Sequence, residues 1–293
     1  MKHNSTKANF LSQLISAQLT KDYCYLIYKW VPGISLNSLL TRTIKLSLSE
    51  IRFFAAGILA ILSMLHKNKI IMRDLKPDSF KIGYDGYPVL YKAGAAKVNI
   101  RVNHSLECKT ILGTPHYMAP EIISRKRYSH TVDIWSFGVT LYEMICGSVP
   151  FGEGIEDPYE IYHAILGVSQ IQFPPIFNKE NFKGAKKLIK MFLNRDPTQR
   201  MPKDGFQDLF NHEFFWGFDF DDYWMKDMQP PSKDWIGMRW EEKLVRTKID
   251  EYKRKIKEEE NSKTKKEPNI TQVKHFQFYR PKGFLSLNLS NEK

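Results

Sequence analysis

Cysteine is scarce in this chain of 293 residues: Cys24, Cys108 and Cys146 lie far apart, with no paired spacing. That excludes a disulfide framework or a thiolate zinc site and points to reduced thiols in a cytosolic compartment. Glycine first occurs at Gly33 and glutamate at Glu50. The longest apolar run, residues 53–65, stops short of the roughly 18 residues a membrane span needs, so no membrane span is expected. The opening MKHNSTKANF has no apolar signal-peptide core. Disorder as the main state is excluded too: hydrophobic residues make up 42% and aromatics 13%, enough for one large core or two small ones.

Charge is abundant and uneven. Lys and Arg number 44 against 32 Asp and Glu, for a net charge of +12. Of these, 27 basic and 17 acidic side chains fall in residues 1–212, so the excess sits there. A basic excess fits an anionic partner or a solubilising surface. Nucleic-acid binding is not expected, because the aromatics cluster among acids rather than along a basic stripe.

Local patterns predict the elements. Residues 10–19 and 23–28 read as two strands closed by Pro32-Gly33. Residues 47–68 read as a buried helix opened by the Ser47/Glu50 capping box. Short strands are predicted at Ile70-Ile71 and residues 88–90, and helices at 132–144, 158–167 and 184–194. Residues 214–240 hold nine aromatics among acids and Pro230-Pro231, and read as an extended strap whose rings fill surface pockets. A charged helix over 238–260 is striped by Val245, Ile249, Tyr252 and Ile256. A polar linker (261–269) and an aromatic end, HFQFYRPKGFLSL, follow.

The chemistry is concentrated in four ordered stretches: MRDLKPDS (72–79), GTPHYMAPE (113–121), DIWSFG (133–138) and RDPTQR (195–200). Their order and spacing resemble the catalytic half of the eukaryotic protein kinases. The likeness is greatest to Ser/Thr kinases of the AGC type, especially the cyclic-nucleotide-dependent ones, and covers about residues 9–240. YLIYKWVPGISLNSLL (25–40) is similar to their hinge, and FFWGFDF with Pro230-Pro231 to the start of their C-terminal tail.

The resemblance implies an α+β, protein-kinase-like fold. It would be mainly the helical large lobe (32–213), with a remnant of the small β lobe (1–31), the tail strap (214–240) and a C-terminal segment (241–293). It also implies roles. Asp74 matches the catalytic base, Lys76 the lysine that contacts the transferring phosphate, and Arg73 the arginine that receives an activation-loop phosphate, with Thr110 as the phosphosite. Gly113-Thr114 matches the loop that receives the substrate hydroxyl. Asp78 and Glu143 match acids that select arginine, or are ordinary loop and helix acids. Glu121 would pair with Arg200 in the core, and Asp133 would cap the catalytic loop.

The metal positions depart from the family. Five residues after Asp74, where an Asn binds Mg²⁺, stands Ser79. Eighteen residues after it, where the main metal-binding Asp stands, is Lys92, followed by Ala93 in place of Phe. Lys29 replaces the hinge acid. An ammonium ~4 Å from Mg²⁺ is repelled by about 8 kcal/mol at an effective dielectric of ~20. Lys92 is therefore expected to pair with Asp74 and lock an empty site, or else to touch a nucleotide phosphate or point to solvent. No Gly-rich loop precedes Gly33, and Lys7 and Lys21 lack the setting of the family's strand lysine.

The expectation is thus a pseudokinase, a scaffold or regulatory subunit with no cofactor and no metal. It would sit in the cytosol or a cytosol-continuous structure such as the cytoskeleton or a cilium. An apolar small-lobe face, or the tail, would be covered by a protein partner. The alternative is an active Ser/Thr kinase using Mg-ATP, with its small lobe supplied elsewhere or missing from this sequence.

Overall fold

The structure is a computed structural model and describes residues 10–19, 24–42, 45–98, 108–167, 170–231 and 254. They fall in two compact units, one holding the described residues of 13–29 with residue 254, the other those of 10–12 and 30–231. In the first, β1 (Leu14–Leu19) pairs antiparallel with β2 (Cys24–Tyr28), from Leu14↔Tyr28 to Leu19↔Cys24, with an irregularity between Leu14 and Ser16. The run CYLIY is aromatic and β-branched, which suits a pleated surface.

The second unit opens with β3 (Ile34–Ser35) and α1 (Leu36–Arg42), then builds on the core helix α2 (Leu48–Lys67). Ser47 caps α2 reciprocally: its Oγ accepts from the Glu50 amide at 3.3 Å, and Glu50 Oε2 accepts from the Ser47 amide at 2.7 Å. Every residue from Phe53 to Leu62 is buried. By length and composition alone α2 passes for a membrane span, but 72% of its apolar window is buried inside the protein, as in a core helix, so no membrane span is evident among the described residues. Its whole circumference is used by the core.

Beyond α2, short strands frame the loop that carries the motifs. β4 (Ile70–Ile71) pairs with β7 (Lys97–Val98), while β5 (Phe80–Ile82) lies between β3 and β6 (Pro88–Leu90). These strands of two or three residues carry too little period to be read from sequence, except where Ile70-Ile71 and residues 88–90 stand out. The helical body follows: α3 (Pro120–Ile123), α4 (Thr131–Cys146), α5 (Pro158–Leu166) and α6 (Lys183–Phe192). α4 is buried from Val132 to Tyr142 and packs on α6, which turns Ala185, Leu188, Ile189 and Phe192 inward and its lysines outward. Truncating Leu188 or Phe192 to Ala would cost about 2–5 kcal/mol.

Among its described residues, 214–231, the aromatic strap is not simply extended. After α7 (Phe206–Phe210), residues 220–225 form a further helix, α8 (Phe220–Met225), capped by Asp219, whose Oδ1 accepts from the Asp222 amide at 2.9 Å. Its aromatics are not simple surface plugs either. Phe214, Phe215 and Tyr223 belong to the core, whereas Trp216 is 71% exposed. Tyr223 stacks on Phe10 with ring centroids 5.8 Å apart and lies 4.9 Å from Phe53 of α2. Trp235, Trp240, the linker and the aromatic end lie outside the described residues, as do Lys7, Lys21 and all of the expected helix over 238–260 except Arg254, which is helical.

The Tyr223 hydroxyl is buried and has no hydrogen-bond partner among the described residues, and burial raises its pKa well above the usual phenol value. An unpartnered buried hydroxyl costs about 1–3 kcal/mol. Tyr223→Phe should therefore leave stability unchanged or raise it by about 1 kcal/mol in urea unfolding. Gly57→Ala should lower it by more than ~1 kcal/mol, since its Cβ would lie 2.3 Å from both Pro88 Cγ and Tyr223 Oη.

Candidate active site

The loop after β4 is held from below by one carboxylate. Asp133, at the start of α4 and fully buried, accepts the amides of Met72 and Arg73 at 2.9 Å each and His66 Nε2 at 2.8 Å. Arg73 has φ +65°, a conformation that costs a side-chain-bearing residue of order 1 kcal/mol. Charge-assisted hydrogen bonds from its own and the preceding amide offset that strain. Burial and the nearby His66 hold the His130 pKa below its ordinary value, against the pull of Asp133.

This turn presents Asp74. Its Oδ1 accepts from the amide and hydroxyl of Thr114 at 2.9 and 2.7 Å, and its Oδ2 lies 3.2 Å from Lys76 Nζ. Lys76 also donates to the Thr114 hydroxyl. The residue before Thr114 must be glycine: Gly113 has φ +138°, and a Cβ there would sit 3.1 Å from the Arg73 carbonyl. Asp74, Lys76 and Thr114, forty residues apart in sequence, thus form one cluster.

The metal-side residues are arranged differently from expectation. Lys92 does not pair with Asp74; its ammonium is bound to Asp78, with both side chains partly exposed. Asp74 is already engaged by Lys76 and Thr114, so the nearby Asp78 takes the second lysine. That hydrogen bond raises the Lys92 pKa. Ser79 is buried, and its hydroxyl donates back to the Asp74 carbonyl at 3.1 Å. Among the described residues no group of three or more His, Cys, Asp or Glu side chains is gathered that could hold a metal ion.

The other named residues are distributed around this centre. Arg73 Nε donates to the Ala95 carbonyl at 2.7 Å, while Thr110 is exposed and accepts the Tyr128 hydroxyl on its own carbonyl at 2.8 Å. Glu143 accepts the Tyr117 hydroxyl at 2.6 Å, and burial raises its pKa. Asp78, the other acid with an implied role toward arginine, is the one held by Lys92. Arg200 meets Glu121 bidentately at 2.6 and 2.7 Å with no exposure of its own, and its guanidinium stacks 5.1 Å above Trp135.

One set of residues went unremarked in the sequence. Lys81 Nζ lies 4.0 Å from the Trp30 ring centroid, donates to the Val31 carbonyl at 3.2 Å and approaches the Tyr91 ring to 5.4 Å. The available signal was a lysine between two apolar strand residues, which places it on the open side of the sheet.

A family model for the protein kinase domain matches residues 1–215. This chain belongs to the protein kinase domain family. Its fold is the α+β protein-kinase-like fold with a reduced β lobe, and its relatives are AGC-type kinases. It is 37% identical over 224 residues to a cGMP-dependent protein kinase of Plasmodium berghei, covering 76% of this chain and 25% of the relative. It is 37% identical over 208 residues to a cAMP-dependent protein kinase catalytic subunit of Dictyostelium discoideum, covering 70% and 30%. With the Saccharomyces cerevisiae serine/threonine-protein kinase YPK1 the identity is 33% over 238 residues, covering 78% and 34%. The chain thus spans about a quarter to a third of the length of these relatives.

Two outcomes follow for this kinase domain. Glu121→Gln leaves Arg200 charged and buried, and should cost about 3–5 kcal/mol in chemical denaturation. His130 has a depressed pKa when folded, so its contribution is full above the unfolded value of 6.5 and is lost as pH falls below it. The Tm of the wild type should drop more steeply than that of His130→Asn as pH falls below 6.5.

Proposed function

We propose that this kinase domain is catalytically silent and acts as a scaffold or regulatory subunit through contact with other proteins. The single observation that carries the reading is Lys92. At the position of the family's metal-binding Asp it puts an ammonium already committed to Asp78, with Ser79 beside it turned to its own backbone. This donor set does not fit Mg²⁺, which requires near-octahedral oxygen ligation and is repelled by a neighbouring cation. Asp74, Lys76 and Thr114 keep their mutual geometry, but without metal they have no means to neutralise a transferring phosphoryl group. A cytosolic setting or a cytosol-continuous structure is part of the proposal; it is supported by Cys108 and Cys146, which are free thiols.

The retained Asp74 cluster is what favours the second reading, an active Ser/Thr kinase. The two are separated by assaying the purified chain with Mg-ATP and a Ser-containing basic peptide. The proposal expects no phosphate transfer above the Asp74→Asn control and no rise in Tm with Mg-ATP. Turnover abolished by Asp74→Asn would establish the active kinase instead.

A further inference from the structure

The sheet of β3, β5 and β6 turns Phe80 and Ile82 into the core. Lys81, between them, emerges on the opposite face, toward Trp30 and Val31. A flat heteroaromatic ring is seated where an aromatic face and a main-chain acceptor lie side by side. Trp30, 58% exposed, supplies such a face and Val31 such a carbonyl. The Lys81 ammonium uses both, at 4.0 Å from the ring centroid and 3.2 Å from the oxygen. On its other side Lys81 shares the Tyr91 ring with Lys92, each Nζ 5.4 Å from the centroid, and Lys92 is in turn bound to Asp78. Trp30, Lys81, Tyr91, Lys92 and Asp78 therefore form a continuous ladder of cation–π contacts ending in an ion pair.

We propose that Lys81 is an internal occupant of the Trp30–Val31 shelf and sets its specificity by closing it to a purine base. The proposal rests on the reading of the domain as silent and deepens it: Lys92 removes the metal chemistry, and Lys81 independently closes the Trp30–Val31 shelf. An entering base must displace the ammonium from the indole face and take over the Val31 carbonyl. It must also move a cation whose neighbour at Tyr91 is a second cation. Methionine has a similar stem and no charge, so Lys81→Met keeps the packing of the stem and leaves the shelf open.

The test uses adenosine, which carries no phosphate, with the full chain in EDTA, so the metal side plays no part. Titration calorimetry should give a dissociation constant of about 1 mM or weaker for the wild type, and at least about tenfold tighter binding for Lys81→Met. Lys81→Arg, which keeps the cation, should behave as the wild type, and adding Trp30→Ala to Lys81→Met should abolish the gain. Lys81→Leu replaces Lys81→Met should the latter fail to fold by circular dichroism. Equal binding by the wild type and a folded uncharged variant, whether both tight or both absent, would overturn the proposal. Adenosine binding by a wild type that transfers no phosphate contradicts only the closed shelf, whereas phosphate transfer contradicts the silent reading itself.

Discussion

The buried carboxylate of Asp133 is the constraint on which the site depends. It joins the start of α4 to the end of α2 through His66 and holds the backbone of Met72 and Arg73 in a turn that Arg73 would not adopt unaided. That turn aims Asp74 at Thr114 and places Ser79 where its amide and hydroxyl close back on the same loop. The helices around it supply the rigidity: α2 and α4 are buried over most of their circumference, and the Glu121–Arg200 pair ties the segment after Thr114 to the chain beyond α6. A buried pair of this kind is a weak source of net stability but a strong penalty against losing one partner, so it fixes an arrangement more than it strengthens it.

On that frame, lysines fill the positions where charge chemistry matters. Lys76 is held by Asp74, Lys92 by Asp78, and Lys81 by Trp30 and Val31. Each cation finds a carboxylate, or an aromatic face and a carbonyl, within the same unit. Glu143 is likewise engaged by Tyr117. Asp74, Lys76 and Thr114 thus form one cluster, while Lys92 is bound to Asp78 and the Ser79 hydroxyl to the Asp74 carbonyl.

Much of this was legible in the sequence because it is local. The Ser47/Glu50 capping box and the unbroken apolar run after it define α2 to within a residue. The choice of partner for Lys92 was not legible. Asp74 and Asp78 lie at similar separations along the chain, and the outcome turned on Thr114, forty residues away, having already engaged Asp74. The Lys81–Trp30 contact was hidden for a related reason, since it needs the antiparallel pairing of β3 with β5, two very short strands. In the aromatic strap the Asp219 cap and its partner Asp222 signalled a helix, but the density of aromatic residues obscured it.

The central claim is that the position of the family's metal-binding Asp now repels metal. Its most direct test is a titration of the full chain with Mn²⁺ and ATP followed by electron paramagnetic resonance. The account predicts that the signal throughout is that of free Mn²⁺ and Mn-ATP in solution, unchanged by the protein. A stoichiometric protein-bound Mn²⁺ signal in the wild type, lost in Asp74→Asn or Ser79→Ala, would contradict it.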